Sequence, residues 1–249
     1  KRRGLRCQRG IPSGHSPFFD QIFTEPKGKE IRAVQDLMAA MPDLPGCVLT
    51  MDALHAVKKT IEIAVIGKRA DVLICVKDNA ADLQRTVHKH LNRRRKRLLT
   101  AQTLDHAHGR IEKRSIEMAP IRPEQTGWPH THTACRIRRE RRMIRRGQVV
   151  STSCEEVSYI ASFSAEQYPP ATVLELIRGH WSIENCLHHR KDRSMDEDRC
   201  RAAGSRTGRV MCCLRSIAAM VLGRAKETLS VIQRRFSAKP HLLLRLLFC

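Results

Sequence analysis

The sequence predicts an α/β domain, and three features carry that prediction. Two short apolar runs, "CVLTMDA" from Cys47 and "DVLICVKDN" from Asp71, are continuous rather than alternating, as expected of strands buried on both faces. A helix-length segment, "ALHAVKKTIEIAVIGK", joins them, so strand, helix and strand follow at the spacing of a βαβ unit with parallel strands. The 249 residues, 41% of them hydrophobic, suffice for one full core, and no internal repeat or low-complexity linker divides the chain.

Taken in order, residues 1–29 are basic, punctuated by glycine and proline, and without sustained periodicity, so an irregular segment is expected there. "EIRAVQDLMAAM" then sets Ile31, Val34, Leu37, Met38 and Met41 on one helical face, and Pro42 with Pro45–Gly46 ends that helix. The first buried strand ends at Asp52 and the second at Asp78–Asn79; "ADLQRTVHKHLNRRRKRLL" follows as a basic helix. "DHAHGRIEKRSIEMAPI" and "HTACRIRRERRMIRRGQVVSTSCEEVSYIASF" alternate enough to predict strands, with a turn at Gly147–Gln148. Within the second, "TSCEEVSYIA" carries a helix-capping signature, Ser153 three residues before Glu156. After Pro169–Pro170 a long helix is expected from about Thr172, and another over roughly 206–227.

Charge points to a partner. Lys and Arg number 46 against 25 Asp and Glu, a net charge of +21. Such an excess repels itself unless a polyanion shares the surface, and nucleic acid is the usual one. The ten cysteines form no CxxC pair, and Cys47 and Cys75 lie inside apolar runs, so they read as small apolar filler in a reducing cytoplasm. No apolar stretch approaches the ~20 residues that span a bilayer, and no secretory leader is expected.

Three places can carry chemistry. In "RGHWSIENCLHHRKDRSMDEDR" helical spacing puts Ile177, Trp181, Glu184, His188 and Lys191 in one stripe beside an apolar one of Leu176, Ile183 and Leu187. Glu184 at that border is either a surface salt-bridge residue or a cation ligand. Glu184 and His188 could bind zinc only with a third ligand that the sequence does not supply. Asp52, at the C-terminal end of a parallel strand, stands where open α/β sheets place ligands, and would equally well cap the helix that follows. In "HAHGRIEKR", His108, Arg110 and Arg114 surround Gly109, a basic cluster that either meets phosphate or is a basic strand edge.

The segments "EIRAVQDLM", "LTMDALHAVKKT", "DVLICVKDN", "HGRIEKR", "GWP", "TSCEEVSYIAS", "RGHWSIENCLHH" and "EDRCRA" occur in a telling order. From about Glu25 to Arg215 the chain resembles bacterial insertion-sequence transposases of the H-repeat-associated type, a branch of the DDE transposases. The resemblance implies an RNase H-like core, a mixed sheet flanked by helices, over residues 30–230. A β-rich segment would be inserted at about 105–165, with a basic and apolar tail at 231–249. It implies a site in which three carboxylates hold two divalent cations, Mg²⁺ or Mn²⁺, for DNA strand cleavage and strand transfer. Asp52 matches the second aspartate and Glu184 the glutamate, both as catalytic and metal-holding residues. His108 and Arg110 match an HGR element; Arg178, His180, Trp181 and Asn185 match the residues around the glutamate. These, with Lys191 on the same stripe, are expected to meet DNA. The implied partners are element-end and target DNA, a homo-oligomer on DNA, and no membrane, in a cytoplasmic protein associated with the nucleoid.

The first aspartate of the family lies on an opening strand, in a segment resembling "DGK", and nothing in the sequence matches it. Asp20, in "FFDQIFTEPKGKEI", falls in what resembles the end of a later strand. The expectation is therefore a core without its first strand, impaired in cleavage but still binding DNA; the alternative is a non-catalytic basic DNA-binding protein on the same fold. The chain opens on Lys1, which fits a fragment, a processed start or an unusual start codon.

Overall fold

The computed structural model describes residues 6–9, 30–107, 109–182, 206–222, 229–239 and 241. It divides into two compact units, 1–180 and 181–249.

The first unit is built on one seven-stranded sheet in the order β1-β2-β3-β7-β6-β5-β4. The strands are β1 (Arg6–Arg9), β2 (Cys47–Met51), β3 (Asp71–Val76), β4 (Leu99–Ala107), β5 (Arg110–Pro120), β6 (Thr133–Arg145) and β7 (Gln148–Ala161). The expected βαβ unit is present: β2 and β3 pair in parallel, Val48 opposite Asp71 through Met51 opposite Ile74. All other pairings are antiparallel, so the sheet is mixed. Helix α1 (Glu30–Ala40) precedes β2, and α2 (Lys58–Glu62), continued by a π turn over Ile63–Gly67, links β2 to β3. Helix α3 (Ala81–Arg93) follows β3, short α4 (Pro123–Thr126) joins β5 to β6, and α5 (Pro170–Ser182) leaves β7.

Strand alternation sorts the side chains. One face sends Leu49, Met51, Val72, Ile74, Val76, Ala134 and Ile160 into a core with Val34 and Met38 of α1, Ile61 of α2, and Leu83, Val87 and Leu91 of α3. The opposite face carries Val48, Thr50, Leu73, Cys75, Tyr159, Cys135, Ile137, Ile116 and Met118, all buried. Helix α5 buries Val173, Leu174, Leu176 and Ile177, and its polar side chains reach residues of that second face. Each fully buried Leu or Ile contributes roughly 1.5–3 kcal/mol relative to exposure.

Three local expectations are corrected. The segment after Asp52 is not one helix: a 3₁₀ turn over Ala53–His55 closes first, and α2 starts anew after Val57, which is extended at φ −137°. "TSCEEVSYIA" is strand, not a capped helix. Backbone pairing with β6 along its length, and with β3 at Ser158–Ala161, outweighs one local capping signal. Residues 6–9, expected to be irregular, pair antiparallel with β2, Arg6 opposite Thr50 and Arg9 opposite Cys47. The stretch at about 105–165, expected to be β-rich, holds most of β4–β7, and β7 continues the sheet directly from β3.

In the second unit, α6 (Arg206–Leu222) falls within the predicted 206–227 helix. A further helix, α7 (Leu229–Ala238), forms where a tail was expected. Among the described residues no helix is long and apolar enough to cross a membrane.

Candidate nucleic-acid and metal site

Asp52 leaves the C-terminal end of β2 and its Oδ1 accepts the Ala53 N–H at 2.7 Å, capping the 3₁₀ turn. The residue is therefore a cap, of a 3₁₀ turn rather than of a full helix, and it directly follows the end of β2. Three contacts hold this turn. Asn79, just beyond β3, donates its Nδ2–H to the Ala53 carbonyl at 2.6 Å. The Cys75 sulfur lies against the Ala53 N–H and is hydrogen-bonded to the Tyr159 hydroxyl. Two residues before Asp52, the Thr50 hydroxyl is 3.0 Å from Nδ1 of His180, near the end of α5.

Burial dominates the electrostatics beneath Asp52. It pushes the Cys75 thiol up to about 12, with a smaller upward push from the Asp52 charge. Burial first, then Cys75 and Asp52, raises the Tyr159 phenol well above its ordinary value. Both groups stay neutral at physiological pH and serve as uncharged support for the turn.

The arginines form a second cluster on the same sheet face. In "RIEKR" the period of two places Arg110, Glu112 and Arg114 on one side of β5, facing Met143, Arg141 and Arg139 of β6. Glu112 is only 3% exposed. Arg114 lies 2.5 Å from it, Arg110 3.6 Å, Arg139 3.8 Å and Arg141 3.9 Å. Arg114 also pairs with Asp105 of β4 at 2.5 Å, and Arg139 with Glu155 of β7 at 2.6 Å.

Helix α5 brings these two clusters together. Arg178 pairs with Asp105 at 3.2 Å, while His180, two residues on, reaches Thr50. In a flat sheet β2 and β4, five strand steps apart in the order, would be separated by about 24 Å. Neighbouring side chains of one helix reach both, so the sheet must curl around α5. The curl turns the arginine cluster toward the strand end that carries Asp52.

The predicted site residues fare unequally. Asp52 and His180 come together through Thr50. Arg178 is engaged by Asp105 and by Glu175 of its own helix, and Arg110 by Glu112. Trp181 belongs to the last turn of α5, with its side chain outside the description; His108, Glu184, Asn185 and Lys191 lie outside the described residues. Sequence reasoning missed Asp105, Glu112, Asn79, Arg139 and Arg141. The alternation in "RIEKR" could have flagged Glu112, whereas Asp105 and Asn79 depend on tertiary contacts.

Among the described residues no three His, Cys, Asp or Glu side chains are gathered as a metal ion requires. Asp52 supplies one carboxylate of the kind that hard cations such as Mg²⁺ or Mn²⁺ prefer, so the donor chemistry fits and the described donor count is incomplete.

The described core is thus a mixed sheet with a carboxylate just past the end of a parallel strand and an arginine cluster on one face. The chain belongs to the DDE transposase domain family, whose profile matches residues 1–221. Among its relatives are "Putative transposase YncI" of Escherichia coli O157:H7, 26% identical over 86% of this chain and 55% of that protein, and, in Escherichia coli K12, "H repeat-associated putative transposase YhhI", 27% identical over 94% and 63%. "Putative protein YbfL" of the same strain is 28% identical over 94% and 63%. The chain thus spans between about half and under two thirds of the length of these curated relatives. The likeness to the H-repeat-associated type expected from the motifs is found.

Proposed function

We propose that the chain carries the DNA-facing part and two of the three carboxylates of an insertion-sequence transposase core of RNase H-like type. The observation that carries this reading is Asp52 on the turn closing a parallel strand, beside the C-terminal end of the helix that leads in sequence to Glu184. In this reading Asp52 and Glu184 hold Mg²⁺ or Mn²⁺. The bound cations would activate the attacking oxygen and stabilise the leaving one at the scissile phosphate.

The chain's own residues do the positioning. Asn79, Cys75 and the Thr50–His180 contact fix the Asp52 turn, so its carboxylate is presented without a reorganisation cost at the moment of reaction. The arginines of β5 and β6, with the +21 net charge behind them, draw duplex DNA onto the curled face. Element-end DNA is the proposed substrate, with a homo-oligomer assembled on it.

The 249 residues hold no match to the family's first aspartate, so the chain as given binds DNA and cleaves poorly. The test combines salt-dependent binding to a random duplex with Mg²⁺- or Mn²⁺-dependent nicking of the element's terminal DNA. Expected are tight binding at low salt, unchanged in Asp52→Asn and Glu184→Gln, and nicking at background. Absence of DNA binding would overturn the reading. Robust nicking lost in Glu184→Gln would overturn the impairment.

A further inference from the structure

We infer that Glu112 is a positioning residue for phosphate: its buried carboxylate holds Arg110, Arg139 and Arg141 as a fixed row whose outer guanidinium edges bind DNA phosphodiesters. This deepens the DNA-binding reading above and rests on it.

A carboxylate 3% exposed on a sheet face is costly unless cations surround it, and Glu112 has four guanidiniums within 4 Å. They are not equivalent. Arg114, 13% exposed, takes the short contacts to Glu112 and Asp105 and is locked inside the cluster. Arg110, Arg139 and Arg141 stand 3.6–3.9 Å from Glu112, beyond hydrogen-bond distance, and are 41%, 25% and 35% exposed. Their charges are oriented by Glu112 but far from neutralised by it, since one carboxylate is shared among four cations. Among the ion pairs of the described residues, the four arginines share three carboxylates, Glu112, Asp105 and Glu155.

Arginine suits this task because its planar fork binds phosphate oxygens in pairs once its orientation is fixed. The ladder fixes the spacing: Arg139 lies opposite Arg114, and Arg141 opposite Glu112, two residues further along the strand. Two residues correspond to about 7 Å. Through Asp105 the cluster is tied to Arg178 of α5, two residues from the His180 contact beside Asp52. The row is thus set in register with the strand end that carries the candidate catalytic carboxylate.

The test separates positioning from bulk charge, because the two predict opposite signs. Glu112→Gln keeps the shape and adds one positive charge, so a purely electrostatic surface would bind DNA more tightly. Positioning predicts at least ~10-fold weaker binding of a 20-bp random duplex at low salt, with a shallower salt dependence. Glu112→Asp keeps the charge but withdraws the carboxylate by one methylene; several-fold weakening is expected, and it carries the test should the Gln variant not fold. Arg141→Gln should lower the salt slope by ~0.9, one phosphate contact. Arg85→Gln, a charge-matched control on α3, should leave it nearly unchanged. Circular dichroism checks the fold of each variant. Folded Glu112 variants binding as the unaltered chain does, or more tightly, overturn the inference while the DNA-binding reading stands. Failure of the unaltered chain to bind the duplex overturns both.

Discussion

The curl of the sheet around α5 can be tested by energy coupling between Asp105 and Arg178, residues 73 positions apart in sequence. In the structure their charges lie 3.2 Å apart, with side chains 40% and 34% exposed. Exposure of that order screens the pair, so the coupling expected from a double-mutant cycle of Asp105→Ala and Arg178→Ala is about 0.5–1 kcal/mol. The single variants cost more than this coupling, because Asp105 also receives Arg114 and Arg178 also meets Glu175. The cycle removes those extra terms. Urea unfolding of the four proteins, followed by circular dichroism, provides the free energies. Raising ionic strength from about 0.05 M to about 0.5 M should shrink the coupling, since the screening length falls severalfold. A coupling of zero at low salt would mean that Asp105 does not meet Arg178. β4 would then not be curled toward the Asp52 end of the sheet.

Other consequences are as direct. Gly109 has φ +68° in the β4–β5 turn, and a β-carbon there would meet the Ile144 carbonyl at 3.3 Å; Gly109→Ala should therefore destabilise by about 1–2 kcal/mol in urea unfolding. Cys75 and Cys135, both raised to about 12 chiefly by burial, remain thiols at pH 8. Iodoacetamide should modify exposed Cys154 and Cys213 first and reach Cys47, Cys75 and Cys135 only on unfolding, as peptide mass mapping would show. Raising the pH from 7 to 9 should not ionise the two raised thiols, so it should leave their protection intact. Asn79→Ala removes the 2.6 Å bond to the Ala53 carbonyl and should cost about 0.5–1.5 kcal/mol of unfolding free energy.

Much of the architecture was legible because burial leaves a pattern. The continuous runs at Cys47 and Asp71 mark strands covered on both faces, and they pair in parallel as their spacing implies. Local signals misled where tertiary pairing was stronger. Ser153 and Glu156 form a credible capping pair, yet their segment is held by ladders to its neighbours. The break after Asp52 was half visible: aspartate caps well, but its capped turn is only three residues long. The site divides in the same manner. Asp52 could be read from its position at a strand end, with the cap and ligand alternatives left open. The partners of Arg178 and Arg110 could not, because Asp105 reaches α5 through a curl that no sequence period records. Glu112 shows how a motif read as basic conceals its organising acid.

The partnership of Asp52 with Glu184 is the core of the account, and Mn²⁺ binding tests it without requiring cleavage. Electron paramagnetic resonance titration of Mn²⁺ would be compared for the chain, Asp52→Asn, Glu184→Gln and the double variant. The account predicts that each single change weakens the same binding event and that the double variant is no weaker than the worse single. Independent, additive losses, or Mn²⁺ binding indifferent to both residues, would contradict it.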